Sequence, residues 1–193
     1  MSWFHSSIAG FDARNHASSV EIVACFQDQR NVLGRLAFLI TGDQATATVV
    51  QACETTLQGN GPFRDWLLEW AKAATIASAI SHAAEAIRIC EADYKDQRCP
   101  HAEHLSPGDD EERAANLALI LGSDAQTLIS ELDPLCRAVL VLRVAIRSSI
   151  QDCALRLNVP RAAVLAANCH VLMWLHERYV KPVDENRDAL HAL

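Results

Sequence analysis

Several side chains have the types, and some of the spacings, that support chemistry. Cys99, His101 and His104 offer three metal ligands in one short stretch, one fewer than a tetrahedral zinc site needs. Pro100 and Glu103 among them fit a solvated linker equally well. His176-Glu177 opens like a metalloprotease helix, but the second histidine belongs at position 180, where Val180 stands. Gly59-Asn60-Gly61 reads as a turn, and no phosphate loop, nucleophile elbow or dinucleotide fingerprint occurs. Trp66 and Trp70, with distant Trp174, suggest either an aromatic ligand pocket or a core; aromatics at i and i+4 on an apolar face are expected in the core. Neither catalytic residues nor a metal or cofactor is expected.

The elements that hold these residues are helical. The chain has 193 residues, of which 50% are hydrophobic and 6% aromatic, with seven Gly and six Pro. That balance favours helices joined by few turns and argues against an all-β sandwich. Apolar stretches are broken by charged residues too early for a membrane span. Met1 to Gly10 lacks the basic start and continuous apolar stretch of a secretory signal. Seven scattered cysteines form no paired spacing and are expected to be reduced, as in a cytoplasmic protein.

Charge divides the chain. The net charge is −7, and it is −2 over residues 1–90, −7 over 91–131 and +2 over 132–193. The middle block, with Asp109-Asp110-Glu111-Glu112 and the breakers Pro100 and Pro107-Gly108, reads as a linker. The expected fold is therefore all-α with two helical lobes: a bundle over 1–94, an acidic linker over 95–110, a helix-turn-helix domain over 111–180 and a tail over 181–193.

In the first lobe Ser18 and Glu21 form a capping-box pattern, and Val20, Val23, Phe26, Leu33, Leu36 and Ile40 recur at helical spacing up to Gly42-Asp43. A second helix is expected from about Gln44 to Gln58. A long third one carries Phe63, Trp66, Leu67, Trp70, Ala74, Ala77, Ile80, Ala84 and Ile87 on its inner face. In the second lobe helices are expected from Glu111 to Leu121 and, briefly, after Ser123-Asp124. Asp133 caps the next, with Pro134 at its first position. Ser148 with Gln151 suggests another capping box, Asn158 a left-handed stop, and Pro160 the start of a last helix to about Glu177. A short helix, a three-residue turn and a longer helix make a helix-turn-helix.

The stretch Leu132-Asp133-Pro134-Leu135 through Arg143, followed by Ile150-Gln151-Asp152-Cys153-Ala154-Leu155-Arg156-Leu157-Asn158-Val159-Pro160, resembles the C-terminal domain of extracytoplasmic-function sigma factors. Val49-Val50-Gln51 and Phe63-Arg64-Asp65-Trp66-Leu67-Leu68-Glu69-Trp70 resemble the N-terminal domain of the same family. The resemblance covers roughly residues 20–94 and 111–177. It implies a bacterial transcription initiation factor that docks on RNA polymerase core, here through Val50 and Gln51, and binds promoter DNA. An anti-sigma protein or a second copy of the chain is a further implied partner.

The side chains depart from that family where contacts are made. Acidic residues usual before the Val-Gln pair are Ala47 and Thr48, and the expected Asn after the Trp-Leu motif is Ala73. Along the recognition helix the family's Thr, Lys, Arg and Arg positions hold Ala163, Leu165, Ala167 and His170. Between Pro160 and Arg178 only Arg161 is permanently positive, with Asn168 and His170 left as donors to a phosphate or base. Each lost cation removes about one unit of salt slope, so three or four lost contacts forfeit several decades of affinity. A helix this apolar, carrying Leu165, Leu172 and Trp174, is expected to pack against protein, either its own first lobe, a second copy or another chain.

Overall fold

The structure, a computed structural model, describes residues 15–59, 61–97 and 131–179. The helices expected over 111–121 and after Ser123-Asp124 lie outside these residues, as do Cys99, His101 and His104. The described chain is all-α: α1 (Ser19–Asp28), α2 (Arg30–Thr41), α3 (Ala45–Gln58), α4 (Leu67–Tyr94), α5 (Pro134–Ala145), α6 (Ile150–Leu157) and α7 (Arg161–Tyr179). Among the described residues no helix is long and apolar enough to cross a membrane.

Local chemistry explains most of the boundaries. Ser18 Oγ accepts the Glu21 N–H at 3.3 Å, while the Glu21 carboxylate accepts the Ser18 N–H at 2.8 Å, so two otherwise orphaned donors are satisfied at the start of α1. Asp133 caps α5 by accepting the Cys136 N–H at 2.9 Å, with Pro134 behind it. Asn158 closes α6 in the left-handed region at φ 53° and ψ 45°. The Val159 N–H then reaches Ala154 O at 3.1 Å, the wrap of a Schellman motif.

Two boundaries differ from expectation. Gln29, at φ −95° and ψ 9°, breaks the single helix expected up to Gly42 into α1 and α2. The cap of α6 is Ser149 with Asp152, one residue later than Ser148 with Gln151. Ser148 is occupied elsewhere: it is buried, its N–H donates to Leu142 O at 3.0 Å, and its carbonyl accepts from Arg143 at 2.7 Å. The preceding Arg147 takes a positive φ of 58° to make that reversal.

The two halves share an interior. One apolar cluster joins Leu36 and Ile40 of α2 and Ile76 and Ile87 of α4 to Leu135, Val139 and Leu142 of α5 and to Val164, Val171 and Leu175 of α7. A smaller cluster holds Ile22, Phe26, Leu33, Ala52 and Ala71 inside the N-terminal half.

The inner face of α4 is offset from the expected one. Its buried residues are Ala71, Thr75, Ile76, Ala79, Ala83, Ile87 and Tyr94, whereas Ala77 and Ala84 are exposed. Small side chains form this seam and let neighbouring helices approach closely. The aromatic residues are turned outward, with Trp66 68% and Trp70 50% exposed, so the expected Trp core is not formed there. Phe63 and Trp66 instead make a surface group, with Phe63 stacked on His16 at 4.5 Å.

Cys25, Cys53, Cys90, Cys136 and Cys153 are free thiols, while Cys169 is disulfide-bonded, a departure from the expectation that every cysteine is reduced.

Candidate interaction surfaces

The helix-turn-helix is built as its caps dictate: α6 stops at Asn158, Val159 is buried, and α7 begins at Arg161 directly after Pro160. What the motif presents is governed by how α7 is seated. Val164, Ala167, Asn168, Val171 and Leu175, spaced by three and four residues, are all buried, and α7 packs on α5, α6 and also α4. Ala163 and Ala166 are buried as well, which leaves Arg161, Ala162, His170 and Met173 as the exposed positions from 161 to 175.

The residues singled out on this helix therefore separate. Arg161 and His170 are on the surface. Asn168, expected as a donor to DNA, is 4% exposed, because its position falls on the buried stripe; an interior amide does not reach a phosphate or base edge. Leu165, Leu172 and Trp174 are half-buried, and Leu172 and Trp174 pack against the shared interior. The Trp174 indole N–H donates to Glu131 at 2.9 Å. Other exposed cations border the motif: Arg156 in the last turn of α6, and Arg147 before it.

A polar knot ties the C-terminal end of α4 to this region. The Tyr94 hydroxyl donates to Asp133 Oδ2 at 2.5 Å and lies 3.1 Å from Cys136 Sγ, and its ring meets His170 edge-on at 6.2 Å. Asp133 thus serves two purposes, one oxygen capping α5 and the other holding the end of α4. Burial, reinforced by the hydrogen bond to Asp133, pushes the Tyr94 phenol far above its ordinary range, so it remains a neutral donor. Burial likewise keeps the Cys136 thiol protonated, and raises Cys153 to about 11. The cap at Asp133 is legible in sequence; Tyr94 carries no such signal.

On the N-terminal half, Val50 and Gln51 sit on neighbouring faces of α3. Val50 is 52% exposed and lines a groove of about 1000 Å³ between α1, α2 and α3. Gln51 points toward α4, where its Oε1 accepts the Ser78 hydroxyl at 3.1 Å, so it is an exposed residue already engaged. The next α3 turn toward the interior is held by Thr48, whose hydroxyl donates to Gln44 O at 2.8 Å and lies 2.9 Å from His82 Nδ1. Cys53 reaches the groove, but burial, aided by Glu54, holds its thiol above the ordinary value and so in the weakly nucleophilic protonated form. Among the described residues no three His, Cys, Asp or Glu side chains gather to hold a metal. The groove has the chemistry of packing, with no assembled acid, base or nucleophile.

Comparison of the chain with protein-family models, with curated proteins and with solved structures finds no match.

Proposed function

We propose that the chain is a sigma-factor-like, non-enzymatic protein that acts through protein contacts and does not read DNA unaided with its helix-turn-helix. The burial of α7 carries this reading. Duplex affinity rests on Lys and Arg neutralising phosphates and on polar side chains reaching base edges. Along α7, Arg161 is the one permanent cation before Arg178, and Asn168 is interior. RNA polymerase core is the partner implied by the resemblance, with an anti-sigma protein or a second copy as further candidates.

A second reading, an initiation factor that still binds promoter DNA, is favoured by Arg156 and Arg161, both exposed on either side of the Asn158 turn. Titration of a promoter-like duplex with the full chain over a range of salt separates the two. The first reading expects no saturable binding at low salt and co-elution with purified polymerase core or self-association on size exclusion. Tight duplex binding that weakens steeply with salt would establish the second.

A further inference from the structure

Large aromatic side chains lie in the open at the start of α4. Phe63 is 46%, Trp66 68% and Trp70 50% exposed, and the rings of Phe63 and Trp66 meet edge to face with centroids 6.0 Å apart. Trp70 follows one helical turn later, about 6 Å farther along the axis. Three such rings turned to water at one end of a helix form a contact surface rather than scattered exposure.

The course of the chain before α1 shows where a contact with this surface begins. The Ala17 N–H donates to Pro62 O at 2.8 Å, and His16 Nδ1 donates to Gly61 O. Gly61 has to be glycine for this crossing, because a Cβ there would stand 2.5 Å from Ala17 O. The His16 ring then lies on Phe63, with centroids 4.5 Å apart and planes inclined by 31°. Asn15, just before it, lines a pocket of about 370 Å³ with Phe63, Asp65 and Trp66. The segment preceding Asn15 therefore sets out from the aromatic surface itself.

The composition of that segment supplies the other side of the contact. Residues 1–14 hold Trp3, Phe4 and Phe11, three of the chain's eleven aromatic residues. Phe11 is four residues from Asn15, a reach of about 13 Å, and Phe4 is eleven away, a reach of about 36 Å, so neither needs full extension to meet the three rings. A tether this short holds its aromatic side chains at millimolar effective concentration, and even a weak ring-on-ring contact is then populated. The cations beside the surface are engaged with neighbours, Arg64 with Glu21 at 2.8 Å and Lys72 with Glu69 at 2.7 Å, which leaves the ring faces as its main recognition feature.

We infer that the surface of Phe63, Trp66 and Trp70 is the docking site of the chain's own segment 1–14, with Phe11 and Phe4 extending along α4 the stack that His16 begins on Phe63. Such a contact is autoinhibitory: an outside ligand for the three rings has to displace the segment, and its apparent affinity falls by the fraction of chains left uncovered. The inference is independent of whether α7 contacts DNA.

The test uses the full chain with the photo-crosslinker p-benzoylphenylalanine in place of Phe11. Irradiation of a dilute sample should give an intrachain adduct that mass spectrometry maps to the stretch from Phe63 to Trp70, and Trp66→Ser with Trp70→Ser should lower its yield several-fold. Thermal unfolding establishes that this double variant folds. A second measurement does not depend on it: with Trp3→Phe as the parent, Phe4→Ser with Phe11→Ser should raise acrylamide quenching of the tryptophan emission roughly two-fold as Trp66 and Trp70 lose their cover. Adducts mapped chiefly to other elements, or quenching unchanged by Phe4→Ser with Phe11→Ser, would overturn the inference. So would a covalent dimer whose yield rises with concentration, which would give the surface to a second copy. A labelled oligothymidylate that binds the parent and the Phe4→Ser, Phe11→Ser variant equally well would overturn it too, leaving the rings open to nucleobases.

Discussion

Two apolar helical surfaces meet different fates in this molecule. Along α7, Val164, Val171 and Leu175 are covered by helices from both halves of the chain. Along α3, Val49, Val50 and Cys53 border open space. The first belongs to a motif whose outline suggests nucleic acid, yet its residues are committed to the interior. The second belongs to a plain helical bundle and lines an open groove. The contrast teaches that a helix-turn-helix outline specifies only how two helices join; which side chains cross the solvent boundary decides what the motif can bind.

The contrast is broken most forcefully at Val164. Val164→Asp places an uncompensated carboxylate in the shared interior and should cost about 3–5 kcal/mol, read by chemical denaturation as loss of structure in both halves. Val50→Asp, on the open groove, should change stability by no more than about 0.5 kcal/mol. Similar losses for the two variants would erase the distinction.

Tyr94→Phe sharpens the covered side of the comparison. It removes the donor that joins α4 to Asp133 and should cost about 1–3 kcal/mol, with less loss at alkaline pH. The sign follows from the raised phenol: its contribution is complete below the ordinary tyrosine value of 10.0 and declines as pH rises from there toward the folded-state value. Urea midpoints of the wild type should fall more steeply than those of Tyr94→Phe above that pH.

Gly34→Ala probes the open side in the opposite direction. With clear space for its methyl group, it should stabilise the chain by about 0.5–1 kcal/mol. A destabilised variant would mean that the groove is already closed over α2.

The smallest effect belongs to Glu21, in the first turn of α1. The Ser18 cap, assisted by Arg64, lowers its carboxyl from 4.5 to about 2. Its contribution is present above pH 4.5 and disappears as pH falls toward 2, so Glu21→Gln should flatten that part of the stability profile slightly.

The all-α class, the caps at Ser18 and Asp133 and the stop at Asn158 were legible because each rests on residues a few positions apart. The burial of α7 was legible from its nearly continuous apolar composition. The outward turn of Trp66 and Trp70 was not, since large aromatics dominate a hydrophobic pattern while the real seam of α4 runs through Ala71, Ala79 and Ala83. Asn168 reads as polar and available in sequence, and only the register of α7 on its neighbours reveals it as interior. The break at Gln29 and the bond between Tyr94 and Asp133 arise from how helices meet, information that no local window contains.

Hydrogen exchange of the α7 backbone amides, with and without a promoter-like duplex, tests the central claim directly. Amides from Val164 to Leu175 should exchange with the slowest set in the chain and be unaffected by the duplex. Rapid exchange along α7 in the free protein, or new protection there when DNA is added, would contradict the account.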